Sequence, residues 1–231
     1  MEKSKVVKYS NLMSEADLKV SMICDLDTNL IGHSVANLQD QQLYITGGSI
    51  GNDSARKTAI QVNLKMKSIS CLPDMNQGRC FHSSVIHSKK LYLFAGSARF
   101  DSEAICNVEV LDLLQPSAWS ILFDGDPRIR LGESPLATSF SPSEILLAGG
   151  CVDGLKHCKI VTFNVKSNTL TEHIDPSARV FQCPQKPALL SEGKIMSLIV
   201  DNNSTLHLAK FVRKDGAIRM KIKDSLGHSK N

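Results

Sequence analysis

An all-β propeller of four-stranded antiparallel blades is the fold class this sequence predicts, on three observations. A motif of turn, apolar strand and small-residue stop recurs as QQLYITGGS at 41–49, KKLYLFAGS at 89–97 and SEILLAGGC at 143–151, and in degenerate form as GKIMSLIVD at 193–201. Aligning Leu43, Leu91, Ile145 and Ile195 gives steps of 48, 54 and 50 residues, a period at which one repeat makes one blade. Each unit then continues in a fixed order: a polar loop, a strand with alternating apolar positions (TAIQVNL at 58–64, NVEVLDL at 107–113, KIVTFNV at 159–165) and a short fourth strand (KSISCL, AWSILF, NTLTEHI).

Taken along the chain, KVVKYS at 5–10 and LKVSMICDL at 18–26 predict the third and fourth strands of a half-blade over 5–26. Blades follow over 30–74, 79–123 and 133–174. In the second of these, the apolar stretches Ser84–Ile86 and Leu91–Ala95 flank a turn at Ser88, Lys89 and Lys90. A degenerate blade over 186–224 contains KIMSLIV, TLHLAKFV and AIRMKI, with Val200-Asp201 in place of a small pair. SEADLKVSM is the only helix-like stretch, and it is too short to stand alone as a helix. All 231 residues are thus read as one propeller domain. Four blades and a half leave two strand edges exposed, which invites edge-to-edge self-association. A fragment of a longer protein, a partner chain completing the ring, and five irregular blades closing it are all compatible with this pattern.

The repeat resembles the kelch family. The small pairs Gly47-Gly48, Ala95-Gly96 and Gly149-Gly150 carry the resemblance, with Tyr44 and Tyr92 ahead of them, NVEVLD with Trp119 seven residues after Asp112, and Arg79 and His82 in LPDMNQGRCFHSS. It covers residues 30 to 225. Only the second unit has the tryptophan, the others placing Ile69 or Leu170 near that position, and His33 is the only counterpart of the Arg79/His82 pair.

Gly47, Gly48, Gly96, Gly149 and Gly150 are read as architectural. A second strand running near the propeller axis needs close backbone approach and positive φ at its exit, and no phosphate-binding glycine spacing follows these residues. Trp119 is read as an apolar wedge between blades. Arg79 has two readings: it bonds carbonyls or a carboxylate of the adjacent blade while His82 caps or packs, or it faces the axial opening and meets an acidic partner.

Charge and composition narrow the function. The 27 basic and 23 acidic residues give +4 without a clustered basic stripe, so nucleic acid is not expected as a partner. No run approaches the ~20 apolar residues that cross a bilayer. No membrane association is therefore expected, a cytoplasmic location is, and the seven cysteines are read as free thiols. Cys71, Cys80 and His82, or Cys151, His157 and Cys158, lack zinc-ligand spacing. No nucleophile–base set appears, and Asp124 and Asp126 sit in the turn FDGDPR. A non-enzymatic scaffold without cofactor is the expectation, an enzyme with a small-molecule site on the axis being the alternative. The loops after the second strands, 49–57, 97–104 and 151–158, vary in length and charge on rigid strands, as binding surfaces do. They place Asn52, Asp53, Arg56, Arg99, Asp101, Asp153, Lys156 and His157 as candidate contacts for a protein partner, together with Arg79.

Overall fold

The fold was taken from a computed structural model, which describes residues 5–10, 19–25, 30–38, 41–51, 54–99, 103–175, 181, 188–191, 194–201 and 203–226. Asn52, Asp53 and Asp101 lie outside the described residues. The predicted class is the one observed: strands dominate, and the only helical turn among the described residues is the 3-10 turn Pro127–Ile129.

An antiparallel pair, β1 (Lys5–Ser10) and β2 (Lys19–Asp25), precedes four four-stranded antiparallel sheets. Blade 1 is β3 (Ser34–Leu38), β4 (Gln42–Thr46), β5 (Ala59–Asn63) and β6 (Ser68–Cys71). Blade 2 is β7 (Ser83–His87), β8 (Lys90–Phe94), β9 (Val108–Asp112) and β10 (Ser120–Phe123). Blade 3 is β11 (Leu136–Ser141), β12 (Glu144–Ala148), β15 (Ile160–Asn164) and β16 (Thr169–His173), with a two-stranded hairpin, β13 (Cys151–Val152) and β14 (Leu155–Lys156), inserted between its second and third strands. Blade 4 is β17 (Ala188–Ser191), β18 (Lys194–Val200), β19 (Leu206–Lys214) and β20 (Ala217–Leu226). Strands occupy 19–25, so SEADLKVSM forms no helix over that part.

The second strands KLYLF and EILLA read as continuous apolar runs because both faces of a middle blade are buried. Leu91, Leu93 and Leu111 of blade 2 pack with Ala36, Tyr44 and Ala59 of blade 1, whereas Tyr92, Phe94 and Val108 face Ile145, Leu147 and Phe163 of blade 3. Leu146, Ala148 and Ile160 turn the other way, onto Ile195, Ala209 and Phe211 of blade 4. Strand alternation thus builds one core per blade interface rather than one for the whole domain.

The inner strand is not the one the sequence reading placed there. First strands, not second, lie side by side: Ser34 Oγ meets Ser84 Oγ at 2.8 Å, the Ser83 hydroxyl donates to Pro135 O, and the His87 Nδ1 meets Ser139 Oγ at 3.1 Å. The fourth strands are outermost, and β6 is exposed along its whole length. Short polar side chains suit the inner seam because they hydrogen-bond across it where strands converge.

The small pairs act at the root of each blade. The second glycine donates its backbone N–H to the segment leading into the next blade: Gly48 to Arg79 O (2.9 Å), Gly96 to Gly132 O (2.8 Å) and Gly150 to Phe181 O (3.1 Å). Its φ is 88°, 90° and 120° in the three blades, beyond the left-handed well open to other residues, whereas the first position stays inside that well at 59° to 62°, which is why Ala95 is tolerated there. Blade 4 replaces the pair with a different device. Its Asp201 carboxylate accepts the Asn203 and Thr205 N–H groups and closes a short connection.

Candidate functional site

Antiparallel alternation sends the connections between second and third strands, and those between blades, to one face of the molecule. On that face the loops lie one upon the next. Ala55 N–H of the blade 1 loop donates to Ala98 O of the blade 2 loop (2.9 Å), Ser97 Oγ donates to Glu133 Oε1 ahead of blade 3 (2.8 Å), and Lys156 Nζ of the blade 3 loop donates to Asp201 O of blade 4 (2.6 Å). A continuous surface results, with its roots held by backbone bonds.

The candidate contacts divide into two groups on this surface. Arg56, Arg99 and Asp153 are exposed. Asp153 forms only a loose pair with Arg130, at 3.6 Å, and begins a two-residue turn with Gly154 in which both residues have positive φ (52° and 75°). That turn closes the β13–β14 hairpin and leaves Leu155 74 % exposed beside it. Lys156 and His157 face inward instead. The His157 Nε2–H donates to Leu131 O (3.1 Å), and its Nδ1 accepts the Lys159 N–H (3.2 Å). Both ring nitrogens are therefore spent on positioning the loop, and burial holds the imidazole below its usual pKa. Lys156 and His157, both half-buried, thus position the loop by these bonds.

Of the two readings of Arg79, the axial contact is corrected, for its side chain is fully buried and offers a partner nothing, while the bonding to carbonyl and carboxylate is observed. It donates to Glu109 Oε1 (2.7 Å), Asn107 Oδ1 (2.5 Å) and Ala95 O (3.1 Å), all in its own blade rather than the adjacent one. The Glu109 carboxylate also accepts Asn76 N–H (2.7 Å), Asn76 Nδ2 (3.0 Å) and Gln77 N–H (3.2 Å). This ion pair fastens the connection between blades 1 and 2 to β9. Burial pulls the guanidinium below its ordinary pKa and the adjacent Glu109 pushes it back up. Trp119 closes the same corner, donating its indole N–H to Pro73 O (2.8 Å) within the apolar cluster between blades 1 and 2. The His82 Nε2 meets Thr46 Oγ1 of blade 1 at 2.8 Å.

Sequence reasoning missed a cleft of about 370 Å³ at the junction of blades 2 and 3. It is lined by Ser97 and Ala104, by Gly132 and Glu133, and by the hairpin residues Cys151 to Gly154. Burial, and then Glu133, raise the Cys151 thiol pKa, so the thiol there is protonated. The dipeptide Asp153-Gly154 was the legible signal for the hairpin, whereas Glu133 has no local signature. Among the described residues no group of three His, Cys, Asp or Glu side chains is placed to hold a metal ion, and no helix is long and apolar enough to cross a membrane.

Comparison with known proteins places this geometry. No family model matches the chain. Kelch-like protein 15 of Danio rerio is 26 % identical over 190 residues, which are 74 % of this chain and 29 % of that protein. Kelch-like protein 15 of Homo sapiens is 26 % identical over 164 residues, 62 % of this chain and 26 % of that one. The chain therefore spans under a third of the length of these curated relatives. The solved structure of YjhT superposes with a TM-score of 0.70 at 13 % identity, covering 96 % of this chain and 78 % of that one, a likeness of fold alone.

Proposed function

We propose that this chain, a kelch-repeat protein by its relatives and its fold, serves as a protein-interaction module that binds another protein through the loop face. One observation carries the reading: three loops of unequal length and charge are laid edge to edge on backbone-fixed roots, and they present Arg56, Arg99, Asp153 and Leu155 outward. A rigid scaffold displaying variable tips meets the requirement for binding at low ordering cost. The charged and apolar tips suit the mixed surface of a protein partner.

Proximity labelling in the native cell tests the proposal by comparing the wild type with two variants. Arg56→Glu/Arg99→Glu/Leu155→Asp alters the loop face, and Met66→Asp/Leu114→Asp alters the opposite face, where both apolar side chains are exposed. A neighbour lost with the first variant and kept with the second supports the loop face as the binding surface. Equal labelling by all three chains removes it.

A further inference from the structure

The cleft between blades 2 and 3 has a definite chemical bias. Its lining contains two carboxylates, Glu133 and Asp153, and no cationic side chain. Lys156 Nζ is engaged on Asp201 O and Lys159 Nζ on Pro127 O, whereas Arg130 lies 3.6 Å from the Asp153 carboxylate and offsets its charge, so that Glu133 is the carboxylate on which the bias rests. The Ser97 hydroxyl fixes one Glu133 oxygen at 2.8 Å, which orients the carboxylate in the cleft lining without neutralising it. Leu155 follows the lining residue Gly154 in the chain. It pairs with the cleft residue Val152 across the hairpin, so the two side chains share one side of it, and at 74 % exposure it is an apolar surface without cover among the described residues.

Resting on the loop-face reading above, we infer that the cleft receives a basic side chain of the protein partner, its cation paired with Glu133 and an adjoining apolar residue of the same segment laid on Leu155. A guanidinium or ammonium matches on charge, since a fixed carboxylate in a recessed site makes short charge-assisted hydrogen bonds that solvent screens less than it does at an open surface. An acidic segment is disfavoured in the cleft by the same Glu133 carboxylate. The hairpin accounts for the specificity of the position, because among the described loops only that of blade 3 folds into a hairpin, and that hairpin contributes Cys151 to Gly154 to the cleft lining.

Amide chemical-shift mapping of the whole chain tests the inference, with N-acetyl-argininamide and N-acetyl-lysinamide as probes and the isosteric, uncharged N-acetyl-citrullinamide as control. Saturable shifts of Ser97, Gly132 and Gly154 with the cationic probes, absent with citrulline and weakened by salt, are expected. Glu133→Gln retains an oxygen to accept the Ser97 hydroxyl, so the thermal midpoint should hold while cation affinity falls about tenfold or more. Acetyl-Leu-Arg-amide should bind more tightly than acetyl-Ser-Arg-amide, and Leu155→Ser should abolish that difference. Equal shifts with citrulline, cation binding unchanged in Glu133→Gln, or shifts that map away from the cleft each overturn the inference. A neighbour still labelled by Glu133→Gln but lost with the loop-face variant would leave the interaction module standing and remove only this cleft from it.

Discussion

Arg79→Ala is the most informative single substitution, because it separates a residue that builds the molecule from one that meets a partner. Three buried acceptors lose their donor at once: the Ala95 carbonyl, the Asn107 side-chain oxygen and the Glu109 carboxylate. Asn76 and Gln77 still donate to Glu109, but its charge is left in a fully buried position without a counter-ion. Removing one partner of a buried pair costs about 3–5 kcal/mol, a large share of the roughly 5–15 kcal/mol by which a domain is stable. Urea titration read by circular dichroism measures the loss. The fluorescence of Trp119, the only tryptophan, reports the same corner, because its backbone carbonyl accepts from Asn76. Both probes should shift together to lower urea. Arg79→Ala/Glu109→Ala should be less destabilised than the two single variants combined, by about 2 kcal/mol, since it removes the stranded charge. A loss under about 1 kcal/mol for Arg79→Ala, or simple additivity in the cycle, refutes the ion pair as the fastening of this corner.

Other perturbations follow from the same geometry. Gly48→Val and Gly150→Val should lower the melting temperature sharply. Gly150→Ala should cost far more than Gly154→Ala although both positions have positive φ, since a Cβ at Gly150 would lie 2.1 Å from Leu131 O and one at Gly154 would meet nothing; calorimetry ranks them. The β7–β8 turn uses Ser88 and Lys89 at φ 49° and 60°, where Asn-Gly is preferred, so Ser88→Asn/Lys89→Gly should stabilise by about 1 kcal/mol in urea titration. Burial lowers the folded pKa of His157 and His173, the latter helped by Arg213 and opposed by Glu144. The unfolded chain therefore binds more protons, and this contribution, complete above the unfolded value of about 6.5, is lost as pH falls through the folded values. Stability measured from pH 7 to pH 5 should decline, and His157→Gln/His173→Gln should flatten the slope.

The repeat was legible because it is written in residue types with local consequences. Apolar runs at a fixed period, small pairs at strand ends and polar turns each specify their own backbone, so the strands and their order could be read directly. The inner position of the first strands was not legible: the polar SSVIH reads as a more exposed strand than the apolar KLYLF, and only the bonds between Ser34, Ser84 and Ser139 and their neighbours reveal which strand meets the next blade. Arg79 failed as a contact for a related reason. The reading in which it bonds carbonyls or a carboxylate named the chemistry but not the partner, because Glu109 stands 30 residues away on a strand of the same blade whose alternation says only that one face is buried. The cleft escaped because three separate segments compose it, none of them distinctive alone apart from Asp153-Gly154.

How the blades are joined decides which parts of the chain are free to specialise. At the strand exits of the loop face the junctions are main chain to main chain, with Ser97, Lys156 and His157 adding side-chain bonds further out: Gly48, Gly96 and Gly150 donate to the following segment, and Phe81 N–H to Gly32 O and Ser134 N–H to Phe81 O repeat the step one position further on. Backbone bonds ask nothing of the side chains beyond the φ values that glycine supplies, so a loop can change its tip residues without loosening its root. The corner at Arg79 is the opposite case, held by named side chains and intolerant of change. Substitutions at Arg56, Arg99 and Leu155 should therefore leave the unfolding free energy from urea titration within about 0.5 kcal/mol of wild type while altering what the loop face contacts. A loop-face variant that unfolded as readily as Arg79→Ala would show that the tips carry the fold as well, and the separation between scaffold and surface would be lost.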